Sequence, residues 1–411
     1  MNRSQAVTLS VAAEPSSLFR RAVRSRLELL TRGRLELRSG DGVEVFGGAA
    51  DGALTAELRV TDPRFYRRLC FGGSLGAAES YIDGDWTTPD LTALVRLFLQ
   101  NADATSAFES GPARYGATLA RLWGALQRNT KAGSKRNIAA HYDLGNDFFE
   151  RMLDPTLSYS SAVFPTPQAT LEEGSRHKLE LVCKKLGLGP DDHLLEIGTG
   201  WGSLALCAAE RFGARVTTTT ISREQHRAAA ERIRRAGLES RVTLLERDYR
   251  ELEGRFDKLV SIEMIEAVGA EYYDTFFAQC ARLLAPGGRF ALQSITIADQ
   301  KYERHRREVD FIKRYVFPGS SLPSITALLE SATRASDFRL LGLEDYGLHY
   351  ARTLAEWRTN LEPHRAWVLE RYGERFYRTW QLYLAYCEAG FAEGYISVVQ
   401  MLFERPTWRQ P

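Results

Sequence analysis

The chain has 411 residues, which is enough for two domains or one large α/β unit. Hydrophobic residues make up 44% and charged residues 26%, as in an ordinary globular protein, and no run of about twenty apolar residues suggests a membrane-spanning helix. The first residues lack the apolar segment and cleavage pattern of a secretory signal, so we expect a cytoplasmic protein. The five cysteines are scattered and form no CxxC pair, which argues against disulfides and against a metal site.

The charge is nearly balanced, with 54 Lys and Arg against 52 Asp and Glu. The basic excess lies at the start of the chain, because residues 1–38 carry eight Arg against three Glu. The rest of the chain lacks the strong basic stripe that a nucleic-acid-binding surface normally needs, so we expect no nucleic-acid partner. Contact between the basic N-terminal segment and anionic lipid is an alternative that the sequence leaves open.

The N-terminal part mixes helical and strand patterns. Residues 16–30 place apolar side chains at helical spacing among arginines, which predicts a basic amphipathic helix that either packs on its own domain or lies on a membrane surface. Segments 33–47 and 52–62 alternate apolar and polar residues around turns, which predicts short antiparallel strands, and 91–99 is an apolar helical stretch. Breaker residues after position 100 predict a small α+β domain over 1–125 and a second domain over 126–411.

The second domain alternates strand and helix patterns. Five apolar, β-branched segments predict the strands of a parallel sheet: 192–198, 215–222, 241–248, 256–263 and 287–297. Helical stretches separate the earlier strands, as in an α/β fold.

A glycine-rich turn follows the first of these strands. The strand ends at Ile197 and runs through Gly198, Gly200 and Gly202 directly into a helix, so a ligand could approach the main chain closely. The spacing GxGxG and the preceding Glu196 favour S-adenosylmethionine over a dinucleotide, because S-adenosylmethionine has no pyrophosphate to bind at the helix N-terminus. Glu196 could face its cationic amino-acid end. Structural glycines without a ligand are the alternative.

The predicted cofactor site is completed by four further residues, which lie at or after the ends of the next two strands. Thr220 ends the second strand, and Gln225 lies one turn into the following helix, where it could hold ribose hydroxyls. Asp248 is placed to bond an adenine nitrogen, and the ring of Tyr249 could supply a stacking face.

Nine motifs in order then carry a resemblance that extends over nearly the whole chain. They occupy residues 73–86, 139–164, 194–202, 216–225, 247–252, 256–269, 315–324, 349–357 and 380–396. In these segments the sequence resembles the cyclopropane fatty acid synthases, which transfer a methylene group from S-adenosylmethionine to the double bond of a phospholipid acyl chain. The resemblance implies a Rossmann-like, seven-stranded methyltransferase domain preceded by the small N-terminal domain. It also implies peripheral association with the inner face of the cell membrane and a homodimer.

The resemblance further implies that a bound bicarbonate removes a proton after methyl transfer. Glu266 and Tyr350 take the Glu and Tyr positions of the bicarbonate site, while Ser161 stands at the Cys position and Gln293 at the His position. Ile295 is available to contribute a backbone group. If Glu266 helps to hold the anion, the two must share a proton. Tyr159 and Ser160, beside Ser161, are assigned to the cofactor site.

These departures from the family pattern leave the product open. The leading interpretation is a cyclopropane ring formed on an unsaturated membrane phospholipid. A second interpretation keeps the methyl transfer and ends with a methyl- or methylene-branched chain. A third is a lipid-binding protein without catalysis, which disagrees with the presence of Glu266 and Tyr350. A fourth is a small-molecule methyltransferase, which leaves residues 1–125 unexplained.

Overall fold

A computed structural model describes residues 15–40, 42–48, 53–102 and 144–407. The chain divides into two compact units, residues 1–117 and residues 118–411. The predicted domain boundary at 125/126 lies outside the described residues and stays a prediction.

The first unit contains three helices and a four-stranded sheet in its described residues. Its elements are α1 (Pro15–Leu27), β1 (Arg34–Ser39), β2 (Gly42–Gly47), β3 (Thr55–Val60), α2 (Arg64–Ile82), β4 (Trp86–Thr87) and α3 (Leu91–Gln100). The strand order is β2-β1-β3-β4. The α+β character predicted for this region is therefore confirmed.

One strand direction differs from the predicted antiparallel arrangement. The β1–β2 pair is antiparallel, but β1 and β3 are parallel, with Arg34 opposite both Gly47 and Thr55. Strand β2 ends beside the start of β1, and β3 also begins beside the start of β1, so β3 runs in the same direction as β1. Alternation of apolar residues determines which face of a strand is buried, and it carries no information on strand direction.

The apolar face of α1 packs inside the first unit. Val23 and Leu27 are buried. On the polar side, Arg20 and Arg24 form ion pairs with Glu44 of β2 at 2.7 and 2.6 Å. Of the two arrangements predicted for this helix, packing on its own domain is the one observed, because its apolar residues complete a core there.

The second unit is a larger α/β domain. Its elements are α4 (Asn146–Met152), α5 (Leu171–Leu186), β5 (His193–Ile197), α6 (Ser203–Phe212), β6 (Arg215–Thr220), α7 (Arg223–Arg235), β7 (Val242–Glu246), β8 (Phe256–Ile262), α8 (Tyr273–Leu283), β9 (Leu284–Ile297), α9 (Asp299–Arg307), α10 (Phe311–Tyr315), α11 (Ile325–Ala335), β10 (Arg339–Asp345), α12 (Gly347–Leu361), α13 (Arg365–Ala392) and β11 (Ile396–Glu404).

The sheet of this unit has seven strands in the order β10-β11-β9-β8-β5-β6-β7. The five predicted strands are β5 to β9, and all pairings among these five strands are parallel. Strand β11 is antiparallel to both of its neighbours, which makes the sheet mixed. The predicted Rossmann-like, seven-stranded fold is confirmed, with the reversed β11 as the departure from an all-parallel sheet.

The sheet is covered on both faces, which leaves the strand ends as the place for a ligand. One apolar cluster includes Phe276 and Phe277 of α8, and the other includes Leu179 of α5 and Leu204 of α6. Crevices at the carboxyl ends of parallel strands are the usual ligand sites of such sheets. Among the helices in the described ranges, none is long and apolar enough to cross a bilayer.

Candidate active site

The glycine turn after β5 leaves open space beside the main chain. Gly198, Gly200 and Gly202 have φ values of 103°, 54° and 86°, in a region of backbone conformation that residues with a Cβ rarely adopt. A Cβ added to Gly200 would meet no protein atom within 4 Å, whereas one on Gly198 would lie 3.4 Å from Met264. The backbone N–H of Gly198 donates to the carbonyl of Thr219 at 3.1 Å, which ties the turn to β6. The space above Gly200 therefore suits a ligand.

A buried carboxylate lies at the end of β5, next to this turn. Glu196 is 4% exposed, and the Thr218 hydroxyl donates to its Oε2 at 2.6 Å. Desolvation raises the pKa of Glu196 to about 8, against the lowering effects of Thr218 and Lys178. The ammonium of Lys178, itself 1% exposed, donates instead to Oγ of Ser160 at 2.8 Å. The neutral form of Glu196 therefore fits neutral pH, and a cationic ligand group beside it would stabilise the ionised form.

Thr220 and Gln225 come together at the end of β6. The Thr220 hydroxyl donates to Oε1 of Gln225 at 2.9 Å, and both residues are buried. Ser222 caps α7 by accepting a hydrogen bond from the Gln225 backbone N–H. The pair lies at the strand edge where the sequence places the ribose, and its binding role stays a prediction.

Asp248 and Tyr249 are engaged within the protein. The Asp248 carboxylate accepts from the Arg250 side chain at 2.8 and 2.6 Å and from the Arg250 backbone N–H at 3.0 Å. The Tyr249 ring is about nine-tenths buried in the core, with its centroid 5.5 Å from that of Phe276. Core packing thus accounts for the burial of the ring for which a stacking role was predicted. The predicted contacts of both residues with adenine stay predictions.

Three hydrogen-bond donors converge on one carboxylate that the sequence analysis did not single out. Strand β8 ends at Ile262, and the next residue is Glu263. Its Oε1 accepts from the backbone N–H of Ser161 at 2.9 Å and from Nε2 of Gln293 at 2.7 Å. Its Oε2 accepts from the Tyr350 hydroxyl at 2.7 Å. The donors that the resemblance assigns to bicarbonate therefore bind Glu263 in this structure.

Glu266 is a second carboxylate, three residues further along. Its Oε1 accepts from the Ser294 hydroxyl at 3.0 Å and from the Ile295 backbone N–H at 2.5 Å. Its Oε2 is buried and has no hydrogen-bond partner among the described residues. Desolvation, followed by repulsion from Glu263, raises the pKa of Glu266 to about 8. The predicted residues Glu266 and Ile295 therefore lie together, and a neutral Glu266 carboxyl is the form that fits neutral pH.

Helix α12 fixes the loop that presents the Ser161 backbone N–H. The backbone N–H of Ala162 donates to Oγ1 of Thr353 at 3.1 Å, and that of Phe164 donates to Nδ1 of His349 at 3.0 Å. The same helix carries Tyr350. One rigid element therefore positions two of the three donors to Glu263, which satisfies a common requirement of precise sites.

A second chain of hydrogen bonds fixes the orientation of the Gln293 amide. Lys185 has only donors to offer, and its Nζ bonds Oε1 of Gln400 at 2.7 Å. Nε2 of Gln400 therefore donates to Oε1 of Gln293 at 2.8 Å. This arrangement leaves Nε2 of Gln293 to donate to Glu263.

Aromatic rings surround Tyr350 and Tyr159. The Tyr350 ring centroid lies 4.5 Å from that of Phe391 and 6.0 Å from that of Trp357. Trp357 also packs on Tyr159 at 5.2 Å, and the hydroxyls of Tyr159 and Tyr383 are 2.9 Å apart. Such rings make an apolar wall whose faces can stabilise a cationic species.

The structure thus brings together Ser161, Gln293 and Tyr350 around Glu263, with Glu266 and Ile295 beside them. The sequence analysis missed Glu263 and Lys178. Glu263 could have been noticed, because it ends a predicted strand three residues before Glu266, whereas nothing local distinguishes Lys178 from a surface lysine of an amphipathic helix. No group of three or more metal-ligating side chains occurs among the described residues.

Comparison with known proteins establishes the family. The model of the mycolic acid cyclopropane synthetase family matches residues 129–401. The chain belongs to this family. Over 390 residues it is 36% identical to the tuberculostearic acid methyltransferase UfaA1 of Mycobacterium tuberculosis, covering 92% of this chain and 90% of that one. It is also 36% identical over 362 residues to the cyclopropane-fatty-acyl-phospholipid synthase of Escherichia coli K12, covering 87% and 90% of the two chains.

Solved structures agree on the fold of the second unit. The cyclopropane synthase MmaA2 from Mycobacterium tuberculosis superposes with a TM-score of 0.62 at 31% identity, covering 66% of this chain and 98% of its own. The mycolic acid cyclopropane synthase CmaA1, complexed with SAH and CTAB, gives the same TM-score at 32% identity and the same coverage. The protein is therefore an S-adenosylmethionine-dependent methyltransferase of a lipid-modifying family. The open space at Gly200 and the buried Glu196 fit this cofactor, which supplies an electrophilic methyl group when bound.

Proposed function

We propose that the protein transfers a methylene group from S-adenosylmethionine to the cis double bond of an unsaturated acyl chain in a membrane phospholipid, forming a cyclopropane ring. The observation that carries this proposal is a hydrogen-bonded carboxylate, Glu263, beside an aromatic wall at the carboxyl edge of the sheet. The π bond of an alkene is itself the nucleophile, so the substrate does not have to be deprotonated before it is methylated. A base is needed only afterwards, to remove a proton from the cationic product.

The named relatives support a lipid substrate and two possible products. The Escherichia coli relative is named as a phospholipid cyclopropane synthase, which supports the ring. The Mycobacterium tuberculosis relative is named as a tuberculostearic acid methyltransferase and is equally identical over slightly more of this chain. A methyl- or methylene-branched product is therefore the second candidate.

Purified protein, S-adenosylmethionine and vesicles of mono-unsaturated phosphatidylglycerol test the proposal directly. We expect release of S-adenosylhomocysteine and a phospholipid heavier by one CH2 group. Mass alone does not separate a ring from a methylene branch, so proton NMR of the product is needed to detect cyclopropane hydrogens or new vinyl hydrogens. Vesicles of the matching saturated lipid are the control. Equal release of S-adenosylhomocysteine from both vesicles would contradict an alkene substrate.

We further propose that the first unit binds the membrane surface peripherally. Leu18 of α1 and Phe71 of α2 are 55% and 49% exposed, and Arg21 and Arg67 on the same helices are exposed as well. Exposed apolar and basic side chains together favour an anionic lipid interface. Each arginine near such a surface contributes about 1 kcal/mol, and salt screens this attraction.

Charge reversal at Arg21 and Arg67 tests this contact and preserves the buried face of α1. We expect the double variant R21E/R67E to co-sediment less with anionic vesicles at low salt. The matched control is R215E/R255E, which reverses two exposed arginines of the second unit. Equal losses in both double variants would indicate general electrostatics and refute the assigned surface. A homodimer is also proposed, and its test is sedimentation equilibrium of the full chain.

A further inference from the structure

We propose that the Glu263 carboxylate replaces bicarbonate as the base of the second chemical step, so that this enzyme turns over without bicarbonate. The proposal rests on the proposed function, because it concerns the proton that leaves after methyl transfer to an alkene. It differs from the expectation drawn from the resemblance, which assigns the same donors to a bound anion.

The donor set is the first argument. A backbone N–H, an amide NH2 and a phenol converge from Ser161, Gln293 and Tyr350 on the two oxygens of Glu263, at 2.7 to 2.9 Å. Three such donors form an anion site. Here a side chain of the protein occupies it. A free bicarbonate would have to displace this carboxylate or lie beside it. Two adjacent anions repel each other, so the second arrangement is unfavourable.

The direction of the Gln293 amide is the second argument. The hydrogen bonds from Lys185 through Gln400 force the Gln293 oxygen away from Glu263 and its NH2 group toward it. These hydrogen bonds lie outside the site around Glu263. They leave the NH2 group of Gln293 to donate toward Glu263, where it needs an acceptor. The acceptor is part of the fold, so no ligand has to be recruited.

The backbone of Glu263 is the third argument. Its φ is 48°, in the left-handed region where non-glycine residues are uncommon and where strain is often associated with a functional site. The backbone N–H of Glu263 is held by the carbonyl of Gln293 at 2.8 Å. The main chain is therefore fixed in a conformation that turns this side chain toward the three donors.

Glu266 differs from Glu263 in the hydrogen bonds that stabilise its ionised form. Desolvation raises the pKa of Glu263, while its three hydrogen bonds and the buried ammonium of Lys178 favour its ionised form. Glu266 accepts at one oxygen only, and desolvation together with repulsion from Glu263 favours its neutral form. Two carboxyls whose surroundings separate their protonation in this way provide one base and one neutral neighbour.

The step balances without any further reactant. The π pair of the alkene forms the bond to the transferred methyl carbon, while the carbon–sulfur pair stays on the leaving sulfur. The neighbouring carbon of the acyl chain becomes cationic. An oxygen of Glu263 then takes a proton from the new methyl group, and the C–H pair closes the ring onto the cationic carbon. Neutral Glu263 later returns its proton to solvent. For the branched product, the same base takes a proton after a hydride has shifted to the cationic carbon.

Rate measurements in buffers purged of carbon dioxide, with and without added bicarbonate, test the proposal. Sodium chloride at equal ionic strength is the salt control. We expect the parent enzyme to turn over equally in both buffers. E263Q keeps the size of the side chain and loses the base, so we expect turnover to fall by a factor of roughly 10² to 10⁴. E263G removes the carboxylate, and glycine tolerates the positive φ at this position. We expect added bicarbonate to restore part of its turnover, with a rate that saturates as the bicarbonate concentration rises.

The controls separate chemistry from folding and from the proposed function. E253G makes the same replacement at an exposed residue and should gain nothing from bicarbonate. Calorimetric affinity for S-adenosylhomocysteine shows whether each variant keeps its cofactor site. A parent enzyme that requires bicarbonate, an E263Q variant within twofold of the parent, or a folded E263G without rescue would each overturn the inference. A parent enzyme without lipid product in any buffer would instead refute the proposed function, and the inference with it.

Discussion

Removal of the Tyr350 hydroxyl should move the acid limb of the pH–rate profile to higher pH. In the parent, desolvation raises the pKa of Glu263, while the hydrogen bond from Tyr350 and the charge of Lys178 lower it. Y350F keeps the ring against Phe391 and removes a 2.7 Å donor to the ionised carboxylate. A hydrogen bond to a charged group is worth about 1.5–3 kcal/mol, which corresponds to a roughly 10- to 100-fold rise in the proton affinity of Glu263.

The sign follows from which form of Glu263 works. The base must be ionised, so turnover is lost as the pH falls through its pKa, and a higher pKa places that loss at higher pH. Measurement of kcat/KM against pH for parent and Y350F, on the same vesicles, gives the two midpoints. Y377F is the matched control, because Tyr377 lies on α13 and donates to a different carboxylate, that of Glu362, at 2.8 Å. An acid limb that stays in place in Y350F would refute the role given to Glu263, and a limb that moves equally in both variants would do the same.

Three further predictions concern the cofactor space and the buried charges. G200V should lower the affinity for S-adenosylhomocysteine at least 100-fold in calorimetry, whereas G237V, at a similar φ of 66° and with equally open surroundings, should leave it unchanged. E266Q should lose less turnover than E263Q, because a neutral amide resembles the neutral carboxyl at Glu266, and the reverse order in a rate assay would contradict this. K178M removes the buried donor to Oγ of Ser160, so we expect it to lower the free energy of unfolding by about 1–3 kcal/mol in urea titrations at pH 7.

The sequence predicted the elements of the second unit because each of them has a local signal. Five strands are apolar and β-branched, and the glycines between Ile197 and Ser203 mark the turn that their positive φ values require. Strand β11 was not predicted as a separate element, because its reversed direction depends on where α13 ends in space. The same limit explains the parallel β1–β3 pair, since pairing partners are set by connections and packing and not by alternation.

The site was predicted in its composition but not in its contacts. Ser161, Gln293 and Tyr350 are separated by more than 50 residues from one another and meet through the loop before α5, strand β9 and helix α12. A resemblance can name such residues, yet it says nothing about which acceptor they share. Glu263 was overlooked because an acidic residue at a strand end is unremarkable until its φ and its three donors are known. Tyr249 illustrates the opposite case, since an aromatic residue beside a predicted ligand site can simply complete the core.

The balance of buried charge connects the base to the choice of cofactor. Desolvation lowers the pKa of the Lys178 ammonium, while attraction by the carboxyl groups of Glu263, Asp154 and Glu196 opposes this effect. Desolvation raises the pKa of both Glu196 and Glu266 to about 8, so the neutral form fits both carboxyls at neutral pH. S-adenosylmethionine carries one positive charge more than S-adenosylhomocysteine, because its sulfur is a sulfonium and that of S-adenosylhomocysteine is a neutral thioether. A cationic cofactor group beside Glu196 would stabilise its ionised form and lower that pKa, so cofactor binding and the charge of this cluster are coupled.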